Sequence, residues 1–420
     1  MSYSQKALEF LEEGKIDEFN KQYNLALHHD SDEMVYSLAE ELYSYGFTNQ
    51  AKELYEKLLK KFPDEDELRT DIADILISEG NTDEALEQLS KISKDSPAYL
   101  QSLMVQADLY QTQELFEVSR EKLLEARKLA PDEEVITFAL AELYYTMGEY
   151  NKAIPLYLSL IKKGITNLSA VNIVERIGIS YANDSNFENA IGYLKQIKTI
   201  DMSSDVKFET AFTYLQLKEY EESIDLFEEL RDSDPQYATL YPYLGQALDA
   251  VNKQEEAYRV LQEGLSVDQY NEKLFLATAR EALKLSENDE ALGYLQQGNE
   301  IDPDDIEIVL EMSNLLVAKE DYEENIELLN SYIENHELDP QFYWNLAVSY
   351  DKLDKLKEAH KNYLAAKPYF SDNASFLKQA ALFFREYGDR DNSYELLKKY
   401  VQLQPNDDEA AFMLDEYMDD

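Results

Sequence analysis

The sequence specifies an all-α fold, an α-solenoid of stacked helix–turn–helix units, on three observations. A small residue returns at a fixed interval, through Ala51, Ala85, Ser119, Ala153, Ala190, Ser223, Ala257, Ala291, Asn325, Ala359 and Ser393. Nine of the ten steps are 33 or 34 residues and the step into Ala190 is 37, and a period near 34 matches one helix–turn–helix unit of a repeat array. Within each interval the apolar residues fall in two bursts at helical spacing, separated by a turn signal. Twelve Gly and ten Pro in 420 residues are few for a β-rich or loop-rich fold, while 44% hydrophobic and 12% aromatic content supplies an interior. Such an array grows in one dimension and escapes the size limit of a single core.

The elements follow in order along the chain. Residues 1–30 read as a degenerate first unit, with Ala7, Phe10, Gly14, Phe19, Tyr23 and Ala26 at matching places but two residues short. Eleven regular units follow from Ser31. In Asp66–Pro97 the first helix carries Leu68, Ile72, Ala73, Ile75 and Leu76, and Gly80 suits a left-handed cap where the chain reverses. The second helix carries Ala85, Leu86, Leu89 and Ile92, with Thr82 or Asp83 expected as its cap.

A first-helix small residue (Ala39, Ala73, Ala107, Ala141, Gly178, Ala211, Gly245, Ala279, Ser313, Ala347, Ala381) admits the antiparallel partner helix, and three residues on a larger group fills the gap, as Leu42, Tyr110 and Phe384 do. Asn325 in the small-residue series predicts looser packing or a hydrogen bond, Ala282 leaves less volume in its unit, and Pro155 is placed to bend its helix. The connection Lys162–Ser169 is longer than the others and marks a seam. The expected organisation is therefore a cap at 1–30, sub-arrays at 31–167 and 168–406, and a capping helix with an acidic tail at 407–420, where Ala410, Phe412, Met413 and Tyr417 supply the apolar face.

This set of positions resembles the tetratricopeptide repeat, in an all-repeat chain similar to those of low-GC Gram-positive bacteria. The resemblance implies a right-handed superhelix of eleven to twelve repeats whose first helices line a concave groove. It also implies that positions six and three before the first-helix small residue, and one, four and five after it, face that groove. Carried onto this chain, these include the aromatics Tyr36, Tyr43, Phe138, Tyr145, Phe208, Phe212, Trp344 and Phe412, and the acids Asp74, Asp108, Glu142 and Glu175. Lys273, Arg280 and Lys284 form a basic cluster at groove positions, and the Lys/Asn/Lys/Arg set that holds a peptide carboxylate in some members of the family is not found.

The net charge of −47 argues against nucleic acid or an anionic bilayer as partner, because both require a positive field. With no Cys there is no disulfide, thiolate metal site or Cys nucleophile. No Gly-rich phosphate loop, HExxH or GxSxG motif occurs. Asp302–Asp305 lacks the spacing of a calcium loop and reads as a turn with capping acids. His28, His29, His336 and His360 have no ligand at helical spacing.

No signal peptide, membrane span, cofactor or enzymatic activity is expected. The reading is a cytoplasmic scaffold or adaptor that binds a protein or peptide partner with basic segments in an acidic, aromatic-lined groove, through charge pairing and cation–π contacts. The alternative is a peptide-sensing regulatory repeat protein. Oligomeric state is left open by the sequence.

Overall fold

The computed structural model describes residues 2–333 and 339–417; His336 and Met418 lie outside the described residues. Among those described, 25 α-helices run in order, arranged as twelve antiparallel pairs and one last helix. The chain divides into two compact units, Met1–Met202 and Ser203–Asp420. The first holds six pairs, from Tyr3–Glu12 with Ile16–His29 to Ile173–Asn183 with Phe187–Leu194. The second holds six, from Ser204–Gln216 with Tyr220–Ser233 to Ala374–Tyr387 with Arg390–Leu403, and ends on Asp408–Glu416.

One left-handed residue closes the first helix of every pair. The series is Gly14, Gly46, Gly80, Glu114, Gly148, Ser185, Lys218, Asn252, Ser286, Glu320, Asp354 and Gly388, all with φ between 54° and 92°. The next N–H then bonds back to a carbonyl five residues earlier, as Phe47 does to Leu42 and Asn81 to Leu76, both at 2.8 Å. This is the Schellman closure, which satisfies carbonyls that the helix end would otherwise leave bare. The carbonyl belongs each time to the residue three after the first-helix small position, so the gap-filling side chain and the helix stop sit on one residue. Gly costs least in this conformation, yet seven of the twelve positions are not Gly.

The small-residue series packs as its spacing requires. Ala39, Ala73, Ala141, Ala211, Ala279, Ala347 and Ala381 are fully buried, and so are Ala51, Ala85, Ala153, Ala190, Ala257, Ala291 and Ala359. Gly178 and Gly245 mark close approaches within this series: a Cβ there would lie 2.6 Å from Leu194 and 2.8 Å from Leu261. Two of the series serines return their hydroxyls to the first helix, Ser223 to the Ala211 carbonyl at 2.8 Å and Ser393 to that of Ala381 at 2.9 Å.

Asn325 follows the hydrogen-bonding course. Its amide accepts from Ser313 Oγ at 2.7 Å and donates to Ser349 Oγ at 2.8 Å, while Asn345 donates to Ser313 Oγ and Asn314 Oδ1, both at 2.8 Å. A core position is thereby filled by a satisfied polar network in place of apolar contact.

Several local readings are corrected. The helix Thr82–Ser90 has Asn81 at its N-cap and no side-chain cap bond, so neither Thr82 nor Asp83 caps it; its first turn is served only by the charges of Asp83 and Glu84. Phe412 is 66% exposed and leaves Ala410, Met413, Leu414 and Tyr417 to cover the end of the second unit's core. His360, without a ligand at helical spacing, finds partners in the next helix pair: its Nε2 lies 2.9 Å from Asp389, and its ring stacks on Tyr387 at 4.5 Å. Asp305 does cap its helix, accepting from the N–H of Glu307 at 2.8 Å.

The long connection folds into a two-stranded antiparallel hairpin, Asn167–Leu168 with Val171–Asn172. Ser169 and Ala170 turn it at φ of 49° and 63°, the paired positive values of a type I′ turn. Asn172 then caps Ile173–Asn183, accepting from Val174 N–H at 3.0 Å. This hairpin lies inside the first compact unit.

Candidate functional site

Within each unit the first helices lie side by side, and their side chains cross-link at separations near one repeat. In the first unit the helices Asp32–Ser44, Asp66–Ser78 and Tyr99–Thr112 carry a ridge of acids and tyrosines. Tyr36 donates to Asp71 Oδ2 at 3.2 Å and Tyr43 donates to Asp74. Among the described residues, Glu40, Glu67, Asp71, Asp74 and Asp108 form no ion pair with Lys or Arg.

The consequence is electrostatic. Burial, offset in part by the Tyr36 hydrogen bond and reinforced by the charges of Glu40, Glu67 and Asp74, pushes the Asp71 carboxyl up to about 6. Asp108 is also raised, by burial and then by Asp74. Tyr36, Tyr43 and Tyr55 are all pushed up, chiefly by burial and then by these same carboxylates. Desolvated like charges at close range oppose their own ionisation, so the ridge carries negative charge that meets no ion-pair partner among the described residues. Beside it a cleft of about 360 Å³ is lined by Glu33, Tyr36, Leu58, Phe62, Glu67 and Leu68.

Further along the first unit the arrangement changes. Phe138 is buried, at 8% exposure, within the core cluster that contains Tyr157 and Leu140, so its ring is not an open groove surface. Glu142 accepts from Tyr157 and from Arg176 Nε at 3.2 Å, and the Arg176 guanidinium lies 4.4 Å over the Tyr145 ring. Arg176 thus joins Glu142 and Tyr145 and neutralises that stretch. Glu175, half-buried beside it, is raised by desolvation.

In the second unit the expected aromatics pack on one another. Phe208 stacks on Phe212 at 6.2 Å and meets Tyr237 and Tyr243 at 5.4 and 5.6 Å. Trp344 rests against Phe370 and Phe376 at 5.1 and 5.3 Å, and its Nε1 donates to Gln379 at 2.8 Å. All three stay half-buried.

Nor do Arg280 and Lys284 stand as free cations. Arg280 donates to Glu311 at 3.0 Å and Glu307 at 3.1 Å. Lys284 lies 2.7 Å from both Asp249 and Glu281. Burial alone would lower Lys284, but the hydrogen bonds to Asp249 and Glu281 outweigh it and hold its pKa above the ordinary lysine value.

One position in the repeat was missed by reading the sequence. The residue two before the first-helix small position reaches back to groove positions of the preceding pair. Asp71 bonds Tyr36, Arg176 bonds Glu142, Glu311 bonds Arg280, Asn345 bonds Asn314, and Gln379 bonds the Trp344 indole. Tyr243, at the same place, meets Phe208 and Phe212 edge-on. Its signal was available: Asp, Arg, Tyr, Glu, Asn and Gln recur at a position followed each time by a buried residue. This position decides which groove residues stay available and which are occupied from within.

Among the described residues no group of three or more His, Asp or Glu side chains is placed to hold a metal ion, and no helix is long and apolar enough to cross a membrane.

Twelve helix–turn–helix pairs, each stopped by a left-handed residue and joined through a small-residue seam, define a tetratricopeptide repeat protein. Residues 42–108 match the general tetratricopeptide repeat description, 111–165 match "YpiA-like, tetratricopeptide repeats", and 340–407 match its C-terminal counterpart. The tetratricopeptide repeat-containing protein YpiA of Bacillus subtilis is 34% identical over 308 residues, spanning 73% of this chain and 72% of the relative. The chain belongs to the YpiA-like family of tetratricopeptide repeat proteins, in keeping with its resemblance to repeat proteins of low-GC Gram-positive bacteria.

Among solved structures, the C-terminal part of a repeat protein from Cytophaga hutchinsonii is similar at 14% identity and a TM-score of 0.43, covering 65% of this chain and 98% of that one. YrrB, described as a tetratricopeptide repeat protein with an unusual peptide-binding site, is similar at 17% identity and a TM-score of 0.39, covering 44% and 96%.

Proposed function

We propose that this protein is a scaffold or adaptor that holds a basic segment of a partner protein against the first-helix ridge of its first unit. Tetratricopeptide repeat proteins generally mediate protein–protein interactions, and the ridge supplies the chemistry for one kind of partner. The supporting observation is the set of carboxylates at Glu40, Asp71, Asp74 and Asp108, none with an ion-pair partner among the described residues, with Asp71 held at about 6 by burial and its acidic neighbours. A Lys or Arg brought to this place relieves that repulsion and gains a charge-assisted hydrogen bond, while Tyr36 and Tyr43 offer ring faces to its stem.

Affinity capture from the native lysate with crosslinking, comparing the wild-type chain with Asp71→Asn/Asp74→Asn/Asp108→Asn, tests this reading. The expected result is a partner that crosslinks to the ridge, is released by moderate salt and is lost in the triple variant. A partner that the triple variant retains at full strength contradicts it. Aromatic substitutions at Phe208, Phe212 or Trp344 are poorer probes, because those rings also hold their own unit together.

A further inference from the structure

The first-helix face of the second unit has a cleft of about 670 Å³, with Glu281 among its lining residues. Glu281 is 6% exposed, and it differs from the other acids of this face in one respect. Its Oε1 lies 2.7 Å from the Lys284 ammonium, but its Oε2 is buried with no hydrogen-bond donor. A buried carboxylate oxygen without a donor is costly, and burial usually comes with full satisfaction.

The charge around it is also incomplete. Arg280 is shared by Glu307 and Glu311, and Lys284 by Asp249 and Glu281, so each trio keeps a net negative charge. Leu261, Leu276 and Ala277 supply apolar wall. The face already shows how it takes a guanidinium: Arg280 spans two carboxylates with Nε on one and a terminal nitrogen on the other.

We infer that this cleft is a pocket for an arginine side chain of a bound partner, whose guanidinium draws the Glu281 carboxylate toward the cleft and supplies the donor that its Oε2 lacks, while its methylene stem lies on the apolar wall. The inference rests on the reading that the first-helix face receives a basic chain, and it adds a second anchor in a separate unit. An anionic ligand is disfavoured, since Arg280 and Lys284 are already engaged by two carboxylates each. Lys273, an exposed lining residue, has no ion-pair partner among the described residues, so it favours a backbone carbonyl or acidic neighbour flanking that arginine.

The test uses the full chain with N-acetyl-arginine amide as probe, followed by calorimetry or ligand-observed NMR. Binding in the millimolar range is expected, about tenfold weaker for the citrulline analogue, which keeps the shape and loses the charge. Glu281→Gln, near in size to the native side chain, is expected to weaken the probe about tenfold. Lys284→Gln, which removes the resident cation competing for Glu281, is expected to tighten it.

Equal binding of the citrulline analogue, unchanged binding to the Glu281→Gln chain, or no binding at millimolar probe overturns the inference. So does an equal loss in Asp71→Asn/Asp74→Asn, which would mark the probe as a reporter of overall acidity. A partner insensitive to the ridge variants, with the probe still dependent on Glu281, removes the ridge reading and leaves the pocket standing.

Discussion

The same helical scaffold carries its charge differently on the ridge of the first unit and around the cleft of the second. On the ridge of the first unit, Asp71 and Asp74 meet tyrosine hydroxyls, and burial together with the neighbouring carboxylates Glu40, Glu67 and Asp74 raises Asp71. In the second unit the corresponding face is cross-linked from within, by Arg280 between Glu307 and Glu311 and by Lys284 between Asp249 and Glu281. The backbone is common to both, down to one left-handed residue per pair. What differs is the residue chosen at a few positions on the first helix, chiefly the one two before the small residue. In a repeat array the period specifies the fold, and departures at solvent-facing positions specify what the array can hold.

The largest expected effect falls on what the two units share. Ala257→Asp or Ala291→Asp places a charge in a fully buried seam and is expected to cost about 3–5 kcal/mol. Because each pair leans only on its neighbours, hydrogen exchange should show the loss concentrated in the second unit. Melting like that of the parent chain would mean that the small-residue register is wrong.

Next, neutralising an acid should act with opposite sign in the two units. Asp71→Asn removes a desolvated charge among like charges and is expected to stabilise by about 1 kcal/mol, the full shift being discounted for partial solvent screening. Glu311→Gln breaks part of the Arg280 clamp and is expected to destabilise by less than about 1 kcal/mol, as a partly exposed pair should. Chemical denaturation of both variants checks this; two changes of the same sign would erase the contrast between the faces.

The turns give a smaller and sharper comparison. Gly80→Ala, at φ of 77°, is expected to lose about 1 kcal/mol, whereas Asn252→Gly or Ser286→Gly should gain a few tenths of that. A stabilising Gly80→Ala would contradict the left-handed stop.

Most of the fold was legible because close packing leaves few choices. Leu194 and Leu261 press close on Gly178 and Gly245, where a Cβ would oblige the leucine to shift, and only small residues fit along the rest of the seam. The turn was legible at Gly80 and hidden at Glu114, Lys218 and Glu320, where a residue without left-handed preference is held in that conformation by the helix pair around it. The candidate ridge was legible in part. Position counting found Tyr36, Tyr43, Asp74 and Asp108, but it could not separate Phe138, which points into its core, from an exposed ring. Asp71 was missed because it lies between core residues Thr70 and Ile72, and its role depends on Tyr36 one repeat earlier, a contact that only the stacking of helices creates.

Direct titration of the Asp71 carboxyl by 13C NMR, assigned with Asp71→Asn, addresses the central claim that the first-unit ridge holds uncompensated negative charge. The account predicts an apparent pKa near 6 in the free protein. The folded value then lies above the unfolded one, so the native state binds the extra proton between pH about 4 and 6. Stability should accordingly fall as pH rises through that window, and binding of a basic partner should strengthen through it. Titration at an ordinary carboxylate value, near 4, with no such fall in stability, would contradict the account, because it would mean that the ridge is already neutralised by the chain itself.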